Sequence, residues 1–139
     1  MLNRQTVYMA PSVSAALVAA SQRGVFNRIC IETDDASSEI GAYDTVAALG
    51  EAVRQNATIY TWRHDARPTG PGGRTGAMHV KCALADQDLL FVSSANLTGH
   101  ALNLNMELGV LIHGGHLPQQ VYDQFRNLLD GGVLKPVEP

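Results

Sequence analysis

Apolar residues along the 139-residue chain recur with two different periods, which predicts a domain that mixes helices with strands. Helical spacing follows Ser12, recurs through Val46, Leu49 and Val53, and returns after Pro118. Apolar runs of strand length lie between these stretches, at residues 7–9, 25–32, 57–62, 77–85, 89–93 and 106–113. This order of elements predicts an α/β fold.

The ends of two predicted helices carry residues that commonly start and stop helices. Ser12 can cap the first helix, and Gly24 can end it. Pro118 suits the first turn of the last helix, and Gly131 can stop it. The sequence therefore marks where both helices begin and end.

Residues 63–76 show neither period and contain four glycines and two prolines, so they are predicted to form a long irregular loop. Trp62, Arg63, Arg67 and Arg74 lie at its start and along it. Charge and stacking from such side chains suit a polyanion, which makes these four residues candidates for nucleic-acid binding. An ordinary solvated loop explains the same composition, and the sequence leaves that alternative open.

A histidine and a lysine interrupt the apolar strand that follows this loop. Residues two apart on a strand point to the same face, so His79 and Lys81 should project together while Val80 and Cys82 point away. A buried strand does not carry two such polar groups on one face without compensation. The pair therefore indicates a site that handles an anion such as a phosphate.

Further polar residues lie near the ends of the neighbouring predicted strands. Ser94 and Asn96 come just past one strand, where a hydroxyl and an amide can bind phosphate oxygens. Glu107 interrupts the last apolar strand, where an unpaired carboxylate would be costly. We expect Glu107 to bond His79, which would fix the imidazole tautomer and stabilise its charged form.

Together these residues resemble the signature of the phospholipase D superfamily. MHVKCALADQDLL contains its HxK(x)4D motif, and SSANLTGHALNLNME contains the Ser-x-Asn and the glutamate that follow it. The resemblance implies a single domain over residues 1–139, with the motif core at 77–112, folded as an α/β/α sandwich whose mixed central β-sheet is flanked by helices. Carried over by position, the catalytic residues are His79, Lys81, Ser94, Asn96 and Glu107, with Asp86 as a supporting residue at a turn.

The resemblance also implies a mechanism. Superfamily members are metal-independent phosphodiesterases in which two HxK motifs meet across a pseudo-twofold axis. One histidine attacks phosphorus to form a phosphohistidine, and the other protonates the leaving oxygen and then activates water. Here His79 would be nucleophile or general acid-base, Lys81, Ser94 and Asn96 would bind the phosphate, and Glu107 would orient the histidine. No cofactor and no metal are implied.

This chain carries one such motif and so resembles the small bacterial endonucleases of the superfamily, which act as homodimers. ALVAASQRGV at residues 16–25 resembles their first helix and its exit into a strand. A homodimer would bring two His79 imidazoles together across a twofold axis. A missing half of a longer protein is the alternative source of the second motif. One departure is Ser93, which stands where the family usually has a glycine.

The stretch SSANLTGHALNLNMELGVLI also resembles phospholipase-D-like proteins associated with DISARM phage-defence systems. This second resemblance implies a role in phage defence, with other defence-system subunits as partners.

Composition limits the classes of protein further. A content of 45% hydrophobic and 17% charged residues is typical of a globular domain. The net charge of −3 provides no overall basic field, so nucleic-acid binding would depend on a local patch. Cys30 and Cys82 lie in apolar runs and are expected to be buried, reduced thiols, which suits a cytoplasmic location. No apolar run reaches the roughly 18 residues of a membrane-spanning helix.

These observations favour a nuclease that cleaves DNA or RNA. A phospholipid phosphodiesterase would want an exposed apolar rim or an amphipathic membrane-binding helix, and the last predicted helix has only an ordinary core stripe. A non-catalytic DNA-binding subunit of a defence complex would have no need of His79. The choice of DNA or RNA, of strand number and of bases stays open, because a site that reads phosphate carries no base information.

Overall fold

The computed structural model describes residues 9–32, 46–96 and 98–137. The helices and strands in these ranges are α1 (Pro11–Gln22), β1 (Arg28–Ile31), α2 (Glu51–Arg54), β2 (Thr58–Trp62), β3 (Cys82–Ala85), β4 (Leu89–Ser93), α3 (Gly99–Leu104), β5 (Gly109–His113), α4 (His116–Asp130) and β6 (Leu134–Pro136). Short 3-10 turns lie at Ala47–Leu49, His64–Ala66 and Pro71–Gly73.

Within the described ranges, six strands form two sheets of three. In the first sheet β1 pairs in parallel with β2, and β6 adds to the other side of β2 in the antiparallel direction. In the second sheet β3, β4 and β5 form an antiparallel meander. The predicted α/β class with mixed strand directions is confirmed, while the strands divide between two sheets instead of one.

Apolar packing in the first sheet and the last helix holds this arrangement together. Leu49, Val53 and Ile59 form a buried cluster between the α2 region and the first sheet. Helix α4 contacts β4 and β5 of the second sheet and β6 of the first, so it joins the two sheets. Leu90 on β4 and Pro118 on α4 are among the most fully buried side chains. The apolar stripe predicted for α4 thus packs against the domain interior.

The segment that carries His79 and Lys81 lies immediately before β3. The strand predicted over residues 77–85 is shortened to Cys82–Ala85 because its partner β4 ends at Ser93. One more ladder bond follows, from the Ser93 N–H to the Lys81 carbonyl at 3.0 Å. Residues 77–80 therefore extend beyond the end of β4, and other contacts must position them.

The start of α1 differs from the prediction, and its end agrees with it. Ala10 is the N-cap and Pro11 occupies the first turn, so Ser12 lies inside the helix instead of capping it. Proline is pre-organised for the first helical position, and the start lies two residues earlier than predicted. Gly24 follows the helix with a φ of +86°, a value that favours glycine.

Other elements also depart from their predicted bounds. Gly50, with φ 80° and ψ 150°, interrupts the helix predicted around Val46 and leaves a 3-10 turn followed by the four-residue α2. Helix α3 was not predicted, and its start is capped by Thr98, whose hydroxyl accepts the Ala101 N–H at 3.2 Å. Of the strand predicted at residues 7–9, residues 7 and 8 lie outside the described residues.

Candidate active site

The histidine and the lysine of the motif lie just before β3, opposite the end of β4, where the Ser93 N–H donates to the Lys81 carbonyl at 3.0 Å. The Nζ of Lys81 lies 3.2 Å from Nε2 and 3.4 Å from Nδ1 of His79, so the two side chains project together as their spacing predicts. An ammonium group has only donors, so a ring nitrogen bonded to it must accept. The His79 side chain is exposed, and its ring therefore combines access to substrate with an adjacent positive charge.

A second pair of predicted residues meets where β4 ends beside β5. The Ser94 hydroxyl donates to Oε2 of Glu107 at 2.5 Å, and its oxygen accepts the Leu108 N–H at 3.1 Å. The side chain of Asn105 donates to Oε1 of Glu107 at 3.1 Å. Antiparallel pairing of Ser93 with Gly109 explains the contact, because it places the residues that flank this pair next to each other.

These hydrogen bonds favour the charged form of Glu107. The bond from Ser94 and then that from Asn105 lower the pKa of Glu107 below its ordinary value, and the nearby charge of Lys81 adds to the effect. The Ser93 N–H donates to the Lys81 carbonyl and the Ser94 N–H donates to the Leu108 carbonyl, both at 3.0 Å, so consecutive residues at the end of β4 bring the two pairs into one cluster. This cluster offers a nitrogen nucleophile, a cation, a hydroxyl and a carboxylate on one exposed surface.

The structure corrects one expectation, because Glu107 and His79 do not form the predicted hydrogen bond. Within the part of the chain that the structure describes, both carboxylate oxygens of Glu107 are engaged by Ser94 and Asn105. The His79 ring instead contacts Lys81. The register of β4 against β5 accounts for the difference, because it places Ser94 closest to the carboxylate.

Two further predicted residues form no hydrogen bond to this cluster among the described residues, although Asn96 follows Ser94 by only two positions. Asn96 is exposed just beyond the end of β4. Asp86 lies in the turn between β3 and β4 with a φ of 55°, which aspartate tolerates better than most residues. The length of β3 separates Asp86 from Lys81 by roughly 15 Å at the rise of an extended strand. Its place agrees with a supporting role at the turn.

The three arginines of the loop over residues 63–76 differ in burial and in their ion-pair partners. Arg67 is buried and forms an ion pair with Glu32, a position that suits a structural role better than contact with nucleic acid. Arg63 is exposed and pairs with Asp65 at 2.6 Å, and this bond raises the pKa of Arg63 and lowers that of Asp65. Arg74 is exposed and forms no ion pair with the described residues. It is the arginine of this loop best placed for a polyanion.

A cavity of about 500 Å³ opens beside His79. Its wall is mostly apolar and includes Trp62, Met78, Val92 and Phe125. The indole Nε1 of Trp62 is buried and has no hydrogen-bond partner among the described residues. Trp62, a candidate for stacking on a base, thus contributes to the wall of this cavity.

Neither cysteine supplies a reactive thiolate at neutral pH. Burial raises the pKa of both Cys30 and Cys82, and both are free thiols. The described residues contain no group of three or more side chains suited to a metal ion. Among the same residues, no helix combines the length and the apolar character that crossing a bilayer requires.

Sequence reasoning missed Asn105, Glu32 and the structural use of Arg67. Asn105 stands two residues before Glu107, a spacing that could have suggested a contact between them. Glu32 is a single charge at the end of the apolar run ICI, which resembles the signal that singled out Glu107. No local pattern distinguishes Arg67 from its neighbouring arginines.

Comparison with known proteins agrees with this fold and motif. A family model described as cardiolipin synthase, PLD-like domain, matches residues 4–129. No curated protein matches the chain.

Two solved structures resemble it. NucT from Helicobacter pylori has a TM-score of 0.70 and 18% identity, covering 89% of this chain and 74% of that one. Nuc from Salmonella typhimurium, a phospholipase D family member, has a TM-score of 0.65 and 21% identity, covering 96% of this chain and 78% of that one. At these identities the likeness concerns the fold. Because the family model spans most of the chain, this protein belongs to the phospholipase D-like family.

Proposed function

We propose that this protein is a metal-independent phosphodiesterase that cleaves nucleic acid through a phosphohistidine intermediate. The observation that carries the proposal is the contact between Lys81 Nζ and the His79 ring at 3.2 Å, on an exposed surface shared with Ser94 and Glu107. Membership of the phospholipase D-like family supports phosphodiester chemistry at this cluster.

The reaction proceeds in two displacements. In the first, a ring nitrogen of His79 bonds to phosphorus while the bond from phosphorus to the leaving oxygen breaks, and that oxygen takes a proton from His79 of the partner subunit. In the second, water attacks phosphorus, the nitrogen–phosphorus bond breaks, and His79 of the partner subunit accepts the proton of the water. Lys81 and Asn96 stabilise the charge on the phosphoryl oxygens.

A second copy of the chain supplies the second histidine in this proposal. Met106 and Leu108 flank Glu107 and are 101% and 78% exposed, and Val110 continues the apolar strip on β5. Grouped apolar side chains at a surface favour a partner that removes them from water. A twofold dimer through this strip would place the two clusters close together, which supports a homodimer as the active form.

The first test is cleavage of labelled single- and double-stranded DNA and of RNA in excess EDTA. The wild type is compared with His79→Ala and with the matched control His116→Ala, which removes an exposed histidine at the start of α4. We expect wild type and control to cleave, and His79→Ala to be slower by at least about 10²–10⁴-fold, because the nucleophile and the general acid are both lost. A reaction quenched in alkaline detergent, which preserves the acid-labile nitrogen–phosphorus bond, should trap labelled phosphate on the wild type and on His116→Ala but not on His79→Ala.

The other possible results of this cleavage test indicate other functions. A wild type that is dimeric and cleaves no nucleic acid contradicts the proposal. Hydrolysis of phosphatidylglycerol vesicles by that sample would then indicate a lipid phosphodiesterase. Binding of DNA without cleavage would indicate a DNA-binding subunit. The place in a phage-defence system stays a prediction from the sequence.

A further inference from the structure

A buried ion pair links the end of β1 to the loop that precedes the motif. The Arg67 side chain is 4% exposed, and its guanidinium pairs with the carboxylate of Glu32, which is 33% exposed. Arg67 also donates to the Trp62 carbonyl at 2.6 and 2.9 Å and to the Gly76 carbonyl at 3.3 Å. One guanidinium thus holds both ends of the loop against the residue that follows β1.

The same carboxylate reaches the motif itself. The other oxygen of Glu32 accepts the backbone N–H of Met78 at 2.6 Å. Met78 directly precedes His79, in the segment that extends beyond the end of β4. The bond therefore anchors the backbone next to the histidine at a point that the β3–β4 ladder does not reach.

We propose that Glu32 and Arg67 are positioning residues for His79, an inference that rests on the proposed function. Arg67 holds the Glu32 carboxylate in place, and the carboxylate holds the backbone from which the His79 ring projects. Stability alone does not require the pair, because apolar residues of similar volume often replace a buried ion pair without loss. Apolar residues cannot supply the directed bonds to Met78, Trp62 and Gly76. A small displacement of a reacting group costs about a hundredfold in rate per ångström, so these bonds bear on turnover.

Two variants that both lack the ion pair isolate the bond to Met78. Arg67→Met keeps the Glu32 carboxylate as an acceptor, whereas Arg67→Met with Glu32→Leu removes it. Glu51→Leu with Arg54→Met is the matched control, because it removes an exposed ion pair on α2. The measurements are kcat and KM for a labelled DNA oligonucleotide in EDTA, the thermal unfolding midpoint, and amide hydrogen exchange over residues 77–82.

We expect the double variant at positions 32 and 67 to be at least as stable as Arg67→Met, since it leaves no partly buried carboxylate without its cation. We also expect its kcat to be about tenfold lower, with KM within about threefold and faster exchange of the Met78 amide. A purely structural role predicts that turnover follows stability, so a double variant as active as Arg67→Met overturns the inference.

If the double variant does not fold, Glu32→Asp tests the same bond, because it keeps the charge and withdraws the carboxylate by one methylene. Wild-type kcat in Glu32→Asp would also overturn the inference.

The inference and the proposed function fail in different ways. A dimeric wild type that cleaves nothing refutes the function and the positioning role together. A wild type that cleaves, beside variants whose turnover follows their stability, refutes the positioning role alone.

Discussion

The carboxylate of Glu107 receives hydrogen bonds from Ser94 and Asn105, and at the scale of single residues these bonds set its charge. The pKa of Glu107 is lowered in the folded state. The charged group therefore contributes stability that is fully present at pH values above its ordinary pKa of 4.5. That contribution is lost as the pH falls through the lower, folded-state pKa. The carboxylate therefore stays charged throughout the neutral and mildly acidic range.

Ser94→Ala should raise the pKa of Glu107 toward its ordinary value, because the serine hydroxyl is the largest cause of its lowering. The stability difference between wild type and variant should be constant from neutral pH down to about pH 5 and narrow below the ordinary pKa. NMR titration of the Glu107 carboxyl carbon measures the first effect, and unfolding at several pH values the second. Ser93→Ala is the control, since the Ser93 hydroxyl accepts the Ala95 N–H at 2.9 Å, donates to the Leu108 carbonyl at 3.4 Å and forms no hydrogen bond with Glu107. An unchanged Glu107 pKa in Ser94→Ala would contradict the prediction.

The arginines of the 63–76 loop should differ in their effect on nucleic-acid binding. Arg74→Ala should weaken binding of a labelled oligonucleotide and reduce the slope of affinity against salt by about one phosphate contact. Arg63→Ala should have a smaller effect, because Arg63 is already paired with Asp65. Fluorescence anisotropy over a series of salt concentrations measures both. Equal slopes for wild type and Arg74→Ala would exclude Arg74 from the interface.

At the scale of elements, the pairing of β4 with β5 decides which residues of the cluster meet. Gly109 stands opposite Ser93 at the start of β5, where the chain leaves Glu107. A Cβ at Gly109 would lie 2.8 Å from the Phe91 ring and 3.3 Å from the Val92 carbonyl. The absence of a side chain at Gly109 thus lets the Phe91 ring lie against the β5 backbone.

Gly109→Ala should lower the free energy of unfolding by about 1–3 kcal/mol, because the Phe91 ring must move. The cost should shrink in a Phe91→Leu background, which removes the atoms that the new Cβ meets. Gly70→Ala is the control, since its Cβ meets nothing closer than the Arg74 carbonyl at 3.7 Å and its φ is −91°. Chemical denaturation of the wild type, the two Gly109→Ala variants, Phe91→Leu and Gly70→Ala measures these differences. The same cost in both backgrounds would mean that Phe91 is not the cause.

At the scale of the whole molecule, one chain provides one HxK motif and so one motif histidine, His79, and the proposed chemistry needs two. The apolar strip of Met106, Leu108 and Val110 begins at the residues that flank Glu107. Oligomeric state and activity should therefore depend on the same side chains.

Met106→Gln with Leu108→Gln should convert a dimer to a monomer at micromolar concentration and abolish nucleic-acid cleavage. Both changes are neutral, so they leave the charge around Glu107 unaltered, and both side chains are exposed, so the monomer should keep its unfolding midpoint. Phe26→Gln is the control, because Phe26 is 91% exposed and lies in the segment between α1 and β1. Analytical ultracentrifugation beside the cleavage assay checks the prediction. A fully dimeric double variant would place the interface elsewhere.

Local patterns in the sequence were enough to predict much of the fold and the pairing of His79 with Lys81 in the cluster. Strand β4 has its predicted bounds, and α4 has its predicted proline and stop glycine. His79 and Lys81 meet because side chains two apart on extended backbone share a face, a property of the chain that needs no distant partner.

Contacts between distant segments were decided by the tertiary structure. Glu107 bonds Ser94 instead of His79 because the register of β4 against β5 determines its neighbour. Arg67 is buried on Glu32, 35 positions away in the chain, while similar arginines nearby stay exposed. Periodicity reports which face a side chain takes along its own backbone, whereas pairing and burial depend on which segments pack together. For this reason the sequence alone indicated the chemistry at His79, and only the fold revealed the carboxylate that anchors the backbone beside it.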